Sequence, residues 1–254
     1  MNIVKRIICL VVLIVGMTEL VSADDSYEKI SATFSSRVYS KYLGSYTGRV
    51  CDDDPSLQND LFITLPKGFY LEIWNSIGLD GTGLSSDYGD ELDYLVGWSG
   101  KSEEINLDIG IAYIDCIDLF ESPRGDLILP YLEINKEFDV SEKHRLTPYI
   151  GFEFPFSAKG NEFGHGFFAR FGVKHAWQIS PKLVFNQKIN LFFDDGALGG
   201  DSGILGQYRC DLSWQISKST TIDLISIKAI DPITSLSDGR KTEMVYGTGI
   251  AYRF

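Results

Sequence analysis

Apolar and polar residues alternate along most of this chain in a pattern with a period of two. In the stretch ILGQYRCDLSWQI, every second residue from Ile204 to Ile216 is apolar, aromatic or small, and the residues between them are mostly polar. Successive side chains of a β-strand point to opposite faces of its sheet, so this alternation predicts strands with one apolar and one polar face. The stretches INLDIGIAYI and KLVFNQKINLFF repeat the pattern.

Twelve segments of this kind follow one another. Each has about ten residues, which is the length that a tilted strand needs to cross a bilayer. No internal repeat, linker or low-complexity block interrupts the series, so we expect one all-β domain. The segments lie at 30–42, 57–65, 68–77, 90–99, 104–114, 126–137, 146–155, 164–178, 182–193, 203–216, 220–229 and 242–254.

The connections between these segments alternate in length. The short ones are LPKG, SGKSEE, FDVSEKHR, QISPK and QISKST, and long ones such as GSYTGRVCDDDPS and IDPITSLSDGRK lie between them. Short turns at one end and long loops at the other are typical of bacterial outer-membrane barrels. Both ends of the predicted domain would then lie on the side of the short turns.

The predicted fold is therefore a transmembrane antiparallel up-and-down β-barrel of about 12 strands, with short periplasmic turns and long extracellular loops. Every backbone polar group in lipid needs an internal partner, and an exported chain made of strands meets that condition only as a closed barrel. A secreted β-sandwich or a soluble ligand-binding barrel is the alternative, because its strands also alternate. In the membrane barrel the apolar face contacts lipid and the polar face lines the lumen.

The start of the chain, MNIVKRIICLVVLIVGM, predicts export. Two basic residues precede an apolar run from Ile7 to Val15, and small residues follow before an acidic pair. This arrangement is typical of a secretory signal peptide, here 1–23 with cleavage after Ala23, so the barrel domain would span 24–254. The apolar run is shorter than the roughly 20 residues of a membrane-spanning helix. A retained anchor helix is the alternative.

The last segment, MVYGTGIAYRF, ends on an aromatic residue within the alternating pattern. Such an ending matches the signal by which the barrel-assembly machinery recognises outer-membrane proteins. We expect the signal to consist of the outward-facing residues Tyr246, Ile250, Tyr252 and Phe254. Aromatic side chains near strand ends are expected to form interfacial girdles, namely Trp98, Trp177, Trp214, Tyr246 and Tyr252.

The composition excludes several classes of function. A formal net charge of −12 at pH 7 argues against nucleic acid as a partner. Three cysteines remain after the predicted cleavage; Cys51 with Cys116 is the disulfide to test, and three free thiols, including Cys210, are the alternative. The chain has three histidines and no CxxC motif, so we expect no metal site and no cofactor.

Charged residues on the polar faces divide by sign around the predicted barrel. The acidic ones come from the second to the seventh segment: Asp60, Glu72, Asp93, Asp108, Glu133 and Glu153. The basic ones come from the eighth to the tenth segment and, across the closure, from the last and the first: Arg170, Lys174, Lys188, Arg209, Arg253, Arg37 and Lys41.

Two interpretations of these walls are open. Opposed acidic and basic walls would create a field across a narrow aqueous pore, which would orient dipolar solutes and set ion preference. Alternatively, the charges pair with one another and close the lumen, as in small barrels filled by side chains. Small residues on the polar face favour a narrow or gated pore, because they leave space: Ser76, Gly97, Gly110, Ala112, Gly151, Gly172, Gly247, Gly249 and Ala251.

Two stretches in the first half carry a family resemblance. The stretch CDDDPSLQNDLFITLPKGFYLEIWNSIGLD, followed by GDELDYLVGWSG, resembles the TorF-type porins of Gram-negative bacteria, over about Ser31–Gly100. The rest of the chain shares only the strand rhythm. The resemblance implies an outer-membrane barrel that passes small solutes. The first strand of that family usually ends in Ser-Asp-Tyr, whereas this chain has a lysine at position 41, so no solute preference is carried over.

We therefore expect a narrow porin or channel for small solutes or ions in the bacterial outer membrane. Its expected partners are outer-membrane lipid and lipopolysaccharide, the barrel-assembly machinery during biogenesis, and the solutes themselves. A non-conducting structural or adhesive barrel is the alternative. An enzyme is not expected, and no catalytic residue is predicted. A lipid hydrolase would need a serine beside a histidine that a third group orients, and this arrangement is not evident at His144, His165 or His175.

Overall fold

The computed structural model describes residues 29–44, 48–79, 90–116, 125–160 and 166–254. The predicted signal peptide, 1–23, lies outside the described residues. Within the described part of the chain, no helix has the length and the apolar character needed to cross a membrane.

Twelve long strands form a closed antiparallel barrel, and the predicted fold class is confirmed. Each strand pairs with the next one along the chain, and the last pairs with the first, as in Phe34 opposite Tyr252. The strands are β1 (Ser31–Tyr39), β2 (Ser56–Thr64), β3 (Phe69–Gly78), β4 (Glu91–Ser102), β5 (Ile105–Asp115), β6 (Leu127–Asn135), β7 (His144–Glu153), β8 (Phe168–Ser180), β9 (Leu183–Asp195), β10 (Ser202–Gln215), β11 (Thr220–Pro232) and β12 (Glu243–Arg253).

Four short strands extend this frame. Tyr42–Leu43 pairs with Val50–Asp52 to form a small hairpin between β1 and β2. Phe138–Ser141 pairs with β7, and Phe156–Ser157 pairs with β6. Single 3-10 turns occur at Pro66–Gly68 and Ala197–Gly199.

The two rims of the barrel differ in the length of their connections. The short connections join β2 to β3, β4 to β5, β6 to β7, β8 to β9 and β10 to β11, and their rim is called the short-turn rim here. The beginning of β1 lies at this rim, where the backbone N–H of Phe254 donates to the carbonyl of Ala32 at 2.9 Å. The other connections lie at the opposite, long-loop rim.

The outer face of the barrel is apolar, because alternate strand positions present large hydrophobic side chains to the surroundings. Phe171, Ile189 and Leu191 are each about half exposed, at 51%, 52% and 50%. A face of this kind is stable only against an apolar environment such as lipid.

A β-bulge in β11 changes the phase of the alternation. The register with β12 shifts between Asp223 and Ser226, and the two residues between them, Leu224 and Ile225, are both exposed on the outer face. Because two consecutive residues point outward, the inward-facing positions after the bulge are even-numbered. Lys228 is thereby turned into the lumen, whereas strict alternation from Asp223 would place it outside.

Four of the five residues predicted for the aromatic girdle are exposed near the short-turn rim or on β12, namely Trp177, Trp214, Tyr246 and Tyr252. Trp98 differs, since only 2% of it is exposed. Its ring lies against Gly100, and its indole N–H donates to the carbonyl of Lys67 at 2.9 Å. The turn at Pro66–Gly68 thus accepts the hydrogen bond of an indole that we expected to lie at the membrane interface.

Candidate pore and its charged walls

Three cavities follow one another through the lumen. The outer cavity, about 350 Å³, lies toward the long-loop rim, and its lining includes Tyr42, Glu91, Cys116 and Arg240. The lining of the middle cavity, about 180 Å³, includes Tyr42, Glu72, Glu91, Asp93, Arg209 and Lys228. The lining of the inner cavity, about 280 Å³, includes Lys174, Lys188 and Arg209. Tyr42 borders the first two cavities and Arg209 borders the last two, so each of these side chains lies between two neighbouring cavities.

The junction at Tyr42 exists because the loop after β1 folds into the barrel. Tyr42 and Leu43 are both 4% exposed. The Tyr42 hydroxyl donates to Glu91 Oε2 at 2.7 Å, and its ring centroid lies 5.9 Å from that of Trp74. Leu43 packs in a cluster with the apolar side chains of Ile230 and Val245 on the opposite wall. The hairpin that begins at Tyr42 therefore narrows the outer half of the lumen.

Six carboxylates were predicted for the acidic wall, and the strands place all six on inward-facing positions: Asp60, Glu72, Asp93, Asp108, Glu133 and Glu153. Four of them, Asp60, Glu72, Asp93 and Asp108, form no ion pair among the described residues, whereas Glu133 and Glu153 are paired. Asp108 also accepts a hydrogen bond of 2.5 Å from the Tyr70 hydroxyl. The lumen carboxylates without a basic partner thus lie on β2 to β5.

On the basic side, most charges are neutralised by nearby acids. Arg37 Nε lies 2.7 Å from Asp223 Oδ2, and Arg209 Nε lies 2.9 Å from Asp211 Oδ2. Lys174 Nζ lies 2.5 Å from Glu133 Oε1, and Arg170 pairs with Glu153. The expected basic wall is present in position, but its field is much weaker than that of a row of free cations.

Two of the predicted basic residues lie away from the wall. Lys41 lies beyond the end of β1, which stops at Tyr39, and its ammonium is 2.9 Å from Asp53 and 3.7 Å from Glu243. Arg253 is exposed at the short-turn rim, where β12 ends. The basic wall does not continue through Lys41 in the manner that the sequence suggested.

Several glycines serve a different purpose from the one expected. Gly249 lies beneath Arg37, and a β-carbon there would be 2.4 Å from Arg37 Cγ. The guanidinium therefore crosses β12 to reach Asp223 on β11. Gly247 lies in the same way beneath the ring of Tyr39, whose hydroxyl is 3.0 Å from Ser226 Oγ. These glycines give room to side chains that cross from strand to strand, rather than leaving open pore.

Sequence reasoning missed several residues of the lumen, among them Lys228, Glu91 and Tyr42. Lys228 was missed because of the bulge in β11; its Nζ lies 4.0 Å from the ring centroid of Tyr39 and donates to Gln58 Oε1 at 3.0 Å. Glu91 shares a face of β4 with Asp93, so alternation alone could have identified it. Tyr42 lies in a loop, and no local pattern signals that it folds inward.

A buried ion-pair cluster joins the connections at the long-loop rim. Arg240, whose side chain is 1% exposed, lies 2.6 Å from Asp194 and 2.8 Å from Asp238, and Arg49 lies 3.2 Å from Asp238. Burial alone would raise the pKa of the Asp238 carboxyl, but hydrogen bonds from Arg240 and from the backbone N–H of Asp201 hold that pKa well below its usual range. The cluster ties the loop before β12 to the end of β9.

The cysteines and histidines add no reactive centre to the lumen path in the described residues. Cys51, Cys116 and Cys210 form no disulfide in this structure, so the Cys51–Cys116 bond proposed above is absent from it, although both residues line the same outer cavity. His144 Nδ1 lies 3.0 Å from His175 Nε2, and His165 lies outside the described residues. No group of three or more metal-ligating side chains is assembled in the described ranges.

Comparison with known proteins defines the class of this barrel. No family model and no curated protein matches the chain. Among solved structures, the NanC porin aligns with a TM-score of 0.56 at 11% identity, covering 88% of this chain and 99% of that one. The KdgM porin, solved in complex with disordered oligogalacturonate, aligns with a TM-score of 0.52 at 9% identity, covering 88% and 99%.

Likeness at this level of identity shows the fold, which is that of porin-like outer-membrane barrels. The resemblance to the TorF-type porins stays a prediction, since no comparison identifies that family.

Proposed function

We propose that this chain forms a narrow channel for small solutes or ions in the bacterial outer membrane. The observation that carries the proposal is the succession of three cavities that meet at Tyr42 and at Arg209. A barrel interior filled by side chains would leave no such succession. The fold shared with the NanC and KdgM porins supports the proposal. So does the TorF-type motif, and we propose that the chain is a member of that family.

The proposed channel prefers cations. The lumen carboxylates of Asp60, Glu72, Glu91, Asp93 and Asp108 form no ion pair in the described chain, and Glu91 and Asp108 accept hydrogen bonds only from neutral groups there. Only two lumen ammonium groups, those of Lys188 and Lys228, lack an acidic one there. Fixed charges that line a narrow pore attract ions of the opposite sign, so the surplus of carboxylates favours cations.

Planar-bilayer recording of the purified full-length protein tests both statements. Stepwise conductance is expected, with a reversal potential in a KCl gradient that indicates cation preference. Glu72→Gln should weaken this preference and Lys228→Met should strengthen it. Boiled and unboiled samples on a denaturing gel serve as the control, because a folded barrel migrates differently before heating. A folded protein that never conducts would refute the channel.

A non-conducting structural barrel is the second candidate. The burial of Tyr42 and Leu43 favours it, because the hairpin that contains them occupies the outer half of the lumen. Tyr42→Ala separates the two functions: it should increase conductance if the hairpin only narrows a path, and it should leave a closed barrel silent.

A further inference from the structure

The middle cavity has acidic groups on one side and basic groups on the other. Glu72 and Asp93 come from β3 and β4, whereas Arg209 and Lys228 come from β10 and β11. In a ring of twelve strands, β4 and β10 are six strands apart and therefore lie across the lumen from each other. The cavity of about 180 Å³ between these walls is thus bounded by charges of opposite sign.

Some of the charged groups that face this cavity lack an ion pair, although Arg209 is paired with Asp211. Asp93 Oδ1 is buried without a hydrogen-bond partner, and Glu72 has no ion pair within the described chain. On the other side Lys228 has no carboxylate partner there; it meets only an amide oxygen and an aromatic ring. Unpaired charges that are removed from bulk water are costly, so both sides of the cavity gain from a ligand of opposite charge.

The remaining lining fits a small organic molecule. Trp74 and Leu95 supply apolar surface between the two charged sides. Glu91, which also borders the cavity, accepts the hydrogen bond of Tyr42 and shares a second hydrogen bond with Asp93. The acidic oxygens available to a ligand are therefore those of Glu72 and Oδ1 of Asp93. Pockets that bind small molecules commonly combine apolar walls with a few placed polar groups in this way.

We propose that the middle cavity is a binding site for a small zwitterion. The ammonium group of the zwitterion lies at Glu72 and Asp93, and its carboxylate lies at Lys228 and Arg209. This inference rests on the proposed channel function and adds the class of solute to it.

The opposed walls discriminate against ligands with one charge. A simple cation that meets the carboxylates also faces Lys228, and a simple anion that meets the lysine also faces Glu72 and Asp93. A singly charged ligand is therefore repelled by the like charge on the opposite side of the cavity, and this repulsion makes the site selective. Only a molecule with both charges satisfies both sides.

Diglycine, N-acetylglycine and glycylglycinamide provide a matched set of probes, namely a zwitterion, an anion and a cation of similar size. In bilayer recordings at equal concentration, diglycine is expected to interrupt the current with dwell times about tenfold longer than either control, equivalent to about 1.4 kcal/mol. Glu72→Gln and Lys228→Met should each abolish most of that difference. Lys188→Met is the control for a change of lumen charge, because Lys188 lies at the inner cavity; it should strengthen the cation preference of the pore but leave the ratio of the diglycine dwell time to the control dwell times unchanged.

Calorimetric titration of the detergent-purified full-length barrel with the same probes makes the site testable apart from conduction. Selective binding of diglycine by a barrel that does not conduct would support the site and refute the channel. Conductance without any preference for diglycine over the two controls would refute the site and leave the channel standing. An equal loss of binding in Lys188→Met would also overturn the assignment to the middle cavity.

Discussion

The Arg37–Asp223 ion pair tests how the lumen is held together. Asp223 is 4% exposed, and its carboxylate accepts hydrogen bonds of 2.7 Å from Arg37 Nε and 2.7 Å from Ser213 Oγ. In Asp223→Ala the guanidinium loses its partner within the lumen. Removal of one member of a buried pair costs about 3–5 kcal/mol. Since the Arg37 side chain is still 24% exposed, we expect the lower end, about 3 kcal/mol.

Urea unfolding of the barrel in lipid vesicles, followed by tryptophan fluorescence, measures this change in the free energy of unfolding. Asp53→Asn is the matched control, because Asp53 pairs with Lys41 at 2.9 Å but its side chain is 84% exposed. An exposed pair contributes about 0–1 kcal/mol. The double variant Arg37→Met/Asp223→Ala should regain much of the lost stability, because neither charge of this pair remains in the lumen. The reasoning fails if Asp223→Ala costs no more than Asp53→Asn.

Three further outcomes are expected. Gly249→Val should destabilise the barrel by about 1–3 kcal/mol in the same urea assay, because the valine side chain would overlap Arg37. An unchanged unfolding midpoint would contradict the placement of the Arg37 side chain across β12. The Asp238 carboxyl has a folded-state pKa below its unfolded value of about 3.9, so its stabilising contribution is full above about pH 4 and is lost as the pH falls through the folded value. The stability difference between the wild type and Asp238→Asn should therefore stay constant from pH 7 to about pH 5 and shrink below about pH 4; a difference that is unchanged at pH 2 would contradict this assignment. Maleimide should label Cys51 faster than the buried Cys116 without prior reduction, and mass spectrometry that found a disulfide between them would contradict their reduced state.

Local order in this protein follows directly from residue alternation. The twelve strands, the alternating lengths of their connections and the inward positions of Asp60, Glu72 and Asp93 could all be predicted. The physical reason is that a strand of period two sorts each side chain to one face through contacts with its immediate neighbours. In a closed up-and-down barrel each strand also pairs with the next in sequence. The order of the strands around the barrel therefore follows from their order along the chain.

The partners of the lumen side chains were decided only by the tertiary structure. Arg37 reaches Asp223, 186 residues away, because Gly249 lets it cross the strand between them. Lys228 enters the lumen because the bulge in β11 shifts the phase, and a bulge depends on pairing with the neighbouring strand rather than on composition. Tyr42 narrows the channel because closure brings Glu91 and Trp74 within its reach. The sequence by itself determined which charges enter the barrel wherever the strands alternate regularly, because each strand sorts its own side chains to two faces. Strand pairing and closure decided that Lys228 also enters, and which of the lumen charges neutralise one another.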